Sequence, residues 1–222
     1  MPRDPEPVTV ERLRLAHDAR RAAIRKRLRE FREVWRAGSD ARLWEEMVYC
    51  IFTAGASAKM GLRSVEAVRP LLKSGKPKAM TRALVAAGAH RFPNARPNYV
   101  VTTRDFLKAS FAMRLRNQLK SFRNPVERRD WLASERRIKG LGYKESSHFL
   151  RNIGFKGYAI LDKHIVRCLA ELSVIDSPKP PATRKTYLET EARMRSFAND
   201  IDIDFDELDL LLWSMKTGDI LK

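Results

Sequence analysis

Apolar residues recur every three to four positions along most of this chain, a spacing that predicts helices. From Val8 to Ala37 it predicts one long charged helix with Leu13, Ile24, Leu28, Phe31 and Trp35 on its apolar face. Gly38-Ser39-Asp40 ends that helix and supplies the next N-cap. Residues 41–54 read as an amphipathic to buried helix interrupted by Gly55, and a further helix runs from about Ser57 to Leu72. A short helix follows at 77–89, then a proline-bracketed loop, His90-Arg91-Phe92-Pro93-Asn94-Ala95-Arg96-Pro97. Helices are predicted at about 98–110, 111–121, 125–139 and 143–153, the last two joined by the hinge Gly140-Leu141-Gly142. Asp162 opens a helix to about Ser173, Ser177-Pro178-Lys179-Pro180-Pro181 is a stiff linker, and Thr183 caps a helix to Ala198. A last helix covers about 204–216. Strand signals are confined to the short run Tyr99-Val100-Val101-Thr102-Thr103. The fold expected is all-α: residues 1–222 as a single unit, with two helical lobes at about 40–120 and 121–222 and the N-terminal helix packing across them.

Charge changes the picture more than composition does. A hydrophobic fraction of 44% is ordinary and sufficient for a sizeable core. Lys and Arg number 44 against 27 Asp and Glu, a net charge of +17. Such a field draws polyanions and raises their encounter rate, so nucleic acid leads the candidate partners, ahead of an anionic membrane surface. A merely Arg-rich or thermophilic surface gives the same charge. The two cysteines, Cys50 and Cys168, sit in apolar stretches and are expected as buried thiols in a reducing cytosol. They are too few for an iron–sulfur cluster or a Cys-rich zinc site, so no metal cofactor is implied. The N-terminus has no apolar signal region, and no run of about 18 apolar residues suggests a membrane span. A cytoplasmic protein is expected, with DNA held between its two helical lobes.

The most informative segment is Ile138-Lys139-Gly140-Leu141-Gly142-Tyr143-Lys144-Glu145-Ser146, between two predicted helices. Two glycines two apart allow a sharp turn, and the amides of such a turn and of the next helix N-terminus form a ready phosphate site. Backbone amides read no base identity, so Gly140, Gly142 and Tyr143 would position a duplex without specifying its sequence. A plain helix–turn–helix corner fits the turn equally well. Lys144 falls in the first turn of the second helix, where the helix dipole favours the neutral amine, the form that attacks carbon. Taken alone, a lysine there most simply contacts phosphate or solvent. Eighteen positions later, the apolar run Ala159-Ile160-Leu161 delivers Asp162 to a helix start. An N-cap role for Asp162 is compatible with catalysis, because a carboxylate fixed by amides can stabilise positive charge on a sugar.

Ile138-Lys139-Gly140-Leu141-Gly142-Tyr143-Lys144 followed by Leu161-Asp162-Lys163-His164 resembles the helix-hairpin-helix motif (hairpin 134–153 here) and downstream Asp of the base-excision glycosylases. The wording Leu141-Gly142-Tyr143-Lys144-Glu145-Ser146-Ser147-His148-Phe149-Leu150-Arg151-Asn152 is similar to the type 2 8-oxoguanine DNA glycosylase/lyases of archaea and some bacteria. Tyr49-Cys50-Ile51-Phe52-Thr53-Ala54 and Leu210-Leu211-Leu212-Trp213-Ser214-Met215-Lys216-Thr217-Gly218 extend the resemblance over about residues 40–222. It implies a bifunctional enzyme that flips 8-oxoguanine out of double-stranded DNA, excises it through a Schiff base on Lys144, and nicks the strand by β-elimination. Asp162 would support the oxocarbenium-like transition state; the enzyme would act as a monomer, without metal or membrane.

Further positions follow. Trp213, with Met215, is placed to stack on the flipped base, although a core Trp explains the position as well. The resemblance places Lys222 at the pocket, where the chain's carboxylate would accept from guanine donors; a frayed tail is the alternative. Arg91 and Phe92, in a rigid loop, suit filling the gap in the duplex and contacting the unpaired base; an ordinary surface loop with one buried aromatic is the alternative. His164 is similar in kind to a residue near the DNA backbone in the superfamily, a cap being as plausible, and His148 reads as a structural histidine. Two other functions compete: a glycosylase for another damaged base, and a non-catalytic helix-hairpin-helix DNA-binding module. The charge also permits an RNA-binding protein, which the hairpin does not favour.

Overall fold

Eleven α-helices and one 3₁₀ turn make up the computed structural model, which describes residues 6–90 and 92–220; no strand occurs among the described residues. In order they are α1 (Val10–Ala37), α2 (Asp40–Thr53), α3 (Ala58–Val68), the 3₁₀ turn Arg69–Leu71, α4 (Pro77–Ala86), α5 (Ala95–Phe111), α6 (Leu115–Ser121), α7 (Pro125–Ser134), α8 (Tyr143–Asn152), α9 (Lys163–Glu171), α10 (Arg184–Asp200) and α11 (Phe205–Thr217). No described helix is long and apolar enough to cross a membrane.

Several boundaries depart from the apolar pattern, and three show a local cause. The helix expected over 125–139 stops at Ser134. There the Glu135 carboxylate accepts from the backbone and guanidinium of Arg137, giving the chain a bonded alternative to another helical turn. Helix α5 begins three residues early, with Pro97 in its first turn, where a missing N–H costs nothing. Between α5 and α6, Ala112 and Met113 have φ of 49° and 60°, a left-handed break that no residue type announces. The β-branched run at 99–103 lies inside α5, where buried Val100 and Thr103 override local propensity.

The described chain divides into two compact units, residues 1–32 with 154–222, and residues 33–153. In the second unit α2 is nearly all buried, from Leu43 to Thr53, because α3, α5, α6 and α8 pack around it. Ser39 and Ser57 cap α2 and α3 with their hydroxyls. Gly61 lets α3 close on α2: a Cβ there would lie 2.4 Å from Thr53 Cγ2. Arg116 donates to the carbonyls of Trp35 and Gly38 and stacks on the Trp35 ring at 4.5 Å, satisfying the C-terminal end of α1. Helices α7 and α8, grouped by sequence with the C-terminal half, belong to this unit, and α8 packs on α2.

In the first unit Leu13, Ile24 and Phe31 of α1 are buried as the pattern predicts, but His17 is buried with them. His17 Nε2 lies 2.8 Å from Glu207 Oε2, and Arg25 holds the other oxygen of that carboxylate at 2.5 Å. Burial by itself raises Glu207; these two partners outweigh it and hold the carboxyl below its ordinary range. Helix α11 contributes Leu208, Leu210, Leu211 and Leu212 to this core and packs on α9 and α10.

Candidate active site

Lys144 is the second residue of α8, immediately behind the glycine corner. Gly140 has φ of 80°, and a Cβ there would lie 3.0 Å from Tyr99 Cδ2 and 3.2 Å from Arg96 Nη1, so only glycine fits. Ile138 and Leu141 are buried on either side, and the Lys139 amide donates to Thr103 Oγ1 at 2.9 Å. The corner is thereby fastened to α5. Tyr143 turns its hydroxyl onto Asp130 Oδ1 of α7 at 2.9 Å, tying the two helices of the hairpin.

Exposed Gly142 is the N-cap of α8, and its amide donates to Glu145 Oε2 at 3.3 Å. The other oxygen of Glu145 holds Lys144 Nζ at 2.9 Å. One carboxylate therefore engages both a hairpin amide and the amine. The Lys144 side chain keeps 28% of its surface exposed. Behind it, α8 buries Ser146, Ser147, His148, Arg151 and Asn152. Arg129, 1% exposed, donates to Ser147 Oγ at 3.2 Å, and His148 packs edge-on against Tyr49 with centroids 5.5 Å apart. His148 is thus part of the packing that fixes α8.

Asp162 belongs to the unit of residues 1–32 and 154–222, and Lys144 to that of 33–153. Asp162 is the N-cap of α9, its Oδ1 accepting from the amides of His164 at 2.8 Å and Ile165 at 2.9 Å. The segment leading to it, Tyr158 to Leu161, is buried yet not helical. Buried amides need acceptors. Here side chains supply them: Glu191 accepts from Ala159 N at 2.9 Å, Asp209 from Ile160 N at 2.8 Å, and the Tyr187 hydroxyl from Leu161 N at 3.3 Å. Asp206 accepts from Gly157 N at 2.8 Å, and burial pushes its carboxyl up.

Trp213 and Met215, both half-buried, lie on the last turns of α11. Lys216, its side chain 3% exposed, anchors those turns by pairing with Glu171 at 2.7 Å. Among the loop residues, Phe92 is exposed; Arg91 and Lys222 lie outside the described residues. Burial pushes the Cys168 thiol up to about 12, and Cys50 is also buried. Among the described residues, no group of three or more His, Cys, Asp or Glu stands ready to hold a metal ion.

A family model described as 8-oxoguanine DNA glycosylase matches residues 24–203. The chain belongs to the 8-oxoguanine DNA glycosylase family. Similar members include the 8-oxoguanine DNA glycosylase/AP lyase of Korarchaeum cryptofilum, 36% identical over 210 residues that cover 95% of each chain. That of Methanocaldococcus jannaschii is 35% identical over 199 residues, 90% of this chain and 91% of its own. The crystal structure of the Methanocaldococcus jannaschii 8-oxoguanine glycosylase/lyase in complex with 15mer DNA containing 8-oxoguanine has a TM-score of 0.86 at 32% identity, covering 96% of this chain and 99% of that one. The 8-oxoguanine DNA glycosylase of Thermotoga maritima has a TM-score of 0.85 at 29% identity, covering 96% and 98%. The glycosylase family match takes in the hairpin, Lys144, Asp162 and the loop at 90–97; Trp213 and Met215 lie beyond it.

Several residues bonded around these positions carry little signal of it in the sequence. Glu145, His90 and Arg96 stand in the sequence beside more obvious residues. Asp206 and Asp209 carried a usable signal: acids inside the apolar run Phe205 to Trp213 have to bond to something buried.

Proposed function

We propose that this protein excises 8-oxoguanine from double-stranded DNA and then cuts the strand, with Lys144 as the nucleophile. The observation that carries the reading is the place of Lys144: its partly exposed side chain stands in the first turn of α8, behind the Gly140–Gly142 corner, in a chain of the 8-oxoguanine DNA glycosylase family. The hairpin amides and Tyr143 hold the phosphate backbone, and His164 approaches it beside Asp162. The target nucleotide is flipped out of the stack. Glu145 takes the ammonium proton, and the freed Nζ attacks C1′ as the glycosidic bond breaks and the base leaves with the bonding electrons. Asp162 stabilises the positive charge that develops on the sugar. Ring opening gives an iminium between Nζ and C1′. That iminium acidifies the C2′ proton; its loss expels the 3′ phosphate.

Trp213, Met215 and Lys222 read the flipped base. Positions two apart do not share a helix face, so Trp213 and Met215 meet the base from different sides. Phe92, with Arg91, fills the gap in the duplex. The enzyme works in the cytoplasm, at the nucleoid, as a monomer.

Borohydride reduction tests the iminium directly. The protein is expected to be trapped on duplex DNA carrying 8-oxoguanine, in preference to duplexes with oxidised pyrimidines or alkylated purines. Lys144→Gln should abolish trapping and leave DNA binding in place. Trapping at the normal rate by that variant removes Lys144 from its role; no adduct with any lesion reduces the protein to a DNA-binding module.

A further inference from the structure

The loop before α5 is fastened at both ends. Ser64 Oγ donates to the Ala89 carbonyl at 2.7 Å and Thr81 Oγ1 to the Pro93 carbonyl at 2.9 Å. Arg96 Nη2 donates to the Ala54 carbonyl at 2.6 Å. Between these points His90 bonds from both sides of its ring. Its Nε2 lies 2.8 Å from the Phe52 carbonyl, in the last turn of α2, and its Nδ1 lies 2.8 Å from the Phe92 amide.

The chemistry of the partners settles the protonation of that ring. A carbonyl only accepts, so Nε2 carries the hydrogen; a backbone N–H only donates, so Nδ1 presents its lone pair. The ring is a neutral imidazole with its proton on Nε2. It also packs between Phe52 and Phe92, with centroid distances of 5.4 Å and 6.2 Å. Phe92 is the one exposed phenylalanine among the described residues, at 40%. The Phe92 backbone is thus pinned through its amide while the ring keeps that exposure.

We propose that His90 is the positioning residue of the wedge: its neutral ring sets the backbone at Phe92 so that the aromatic side chain stands out to enter the duplex, and protonation of the ring releases it. This rests on the reading of Phe92 as the wedge. An imidazolium would turn an N–H of its own toward the Phe92 amide, and two donors face to face cannot bond. The charged side chain whose field reaches His90 is Arg96 of α5; α2 offers it the Phe52 carbonyl and ring. Burial and Arg96 hold His90 below its ordinary value, while the carbonyl bond opposes them. The neutral latch is therefore fully present above about pH 6.5 and is lost as pH falls through the lower folded value.

Base flipping, read by 2-aminopurine beside the lesion, tests this without the chemistry when all variants carry Lys144→Gln. At about pH 7.5, Phe92→Ala and His90→Ala should each slow flipping about tenfold, the scale of one lost buried hydrogen bond. The double variant should be no slower than either single, because both changes remove one device. His90→Gln, whose amide donates on one side and accepts on the other, should restore flipping and remove its acid limb. With His90 present, the rate should hold steady down to about pH 6.5 and fall only as the pH drops further. If Phe92→Ala leaves flipping unchanged, the wedge reading itself fails. If Phe92→Ala slows flipping and His90→Ala does not, the wedge stands and the latch is overturned. Additive losses in the double variant, or a flat pH profile with His90 present, also overturn it.

Discussion

Asparagine accepts helix-end amides about as well as aspartate does, so Asp162→Asn separates the two roles given to that side chain. The bonds from the His164 and Ile165 amides should survive, leaving thermal stability within about 1 kcal/mol. Single-turnover excision should fall about 10²- to 10³-fold, the usual scale for losing one preorganised charge at a developing cation. An unchanged excision rate would leave Asp162 as a cap and nothing more. The places of Lys144 and Asp162 at helix starts were legible in the sequence, because glycine or an apolar run marks each off. The bonds of Glu145 and His90 were not: each depends on a partner whose direction only the folded backbone sets. For His90 that partner, the Phe52 carbonyl, lies 38 positions away.

The hairpin carries its constraint in its backbone rather than in any one contact. Gly140→Ala would force a Cβ into the left-handed region and against Tyr99 and Arg96. Denaturant unfolding should show a loss of at least about 1 kcal/mol. Affinity for lesion-free duplex should fall with it, because the amides at the corner would turn away from the phosphates. An unfolding midpoint equal to that of the unchanged protein would show that the corner relaxes without strain. Helix placement was readable from apolar spacing and caps almost throughout. The end of α7 was not, because the bond between Glu135 and the Arg137 amide competes with a helix that the residue types allow.

At the scale of the whole molecule, a net charge of +17 makes DNA association a counterion-release process. A plot of log affinity against log salt should have a slope steeper than about −3, nearly the same for lesion-bearing and undamaged duplex. A shallow slope would mean that the surplus charge lies away from the bound phosphates. The all-helical class was evident in the sequence. The manner of holding Tyr158 to Leu161 was not, since the acceptors come from Glu191, Asp209 and Tyr187, on helices that follow it in the chain. Backbone outside a helix leaves donors open, and open donors invite a second chain to pair with them. Here carboxylates and a phenol close such donors one amide at a time, inside the core. A second chain therefore finds no open donor to pair with between Ala159 and Leu161.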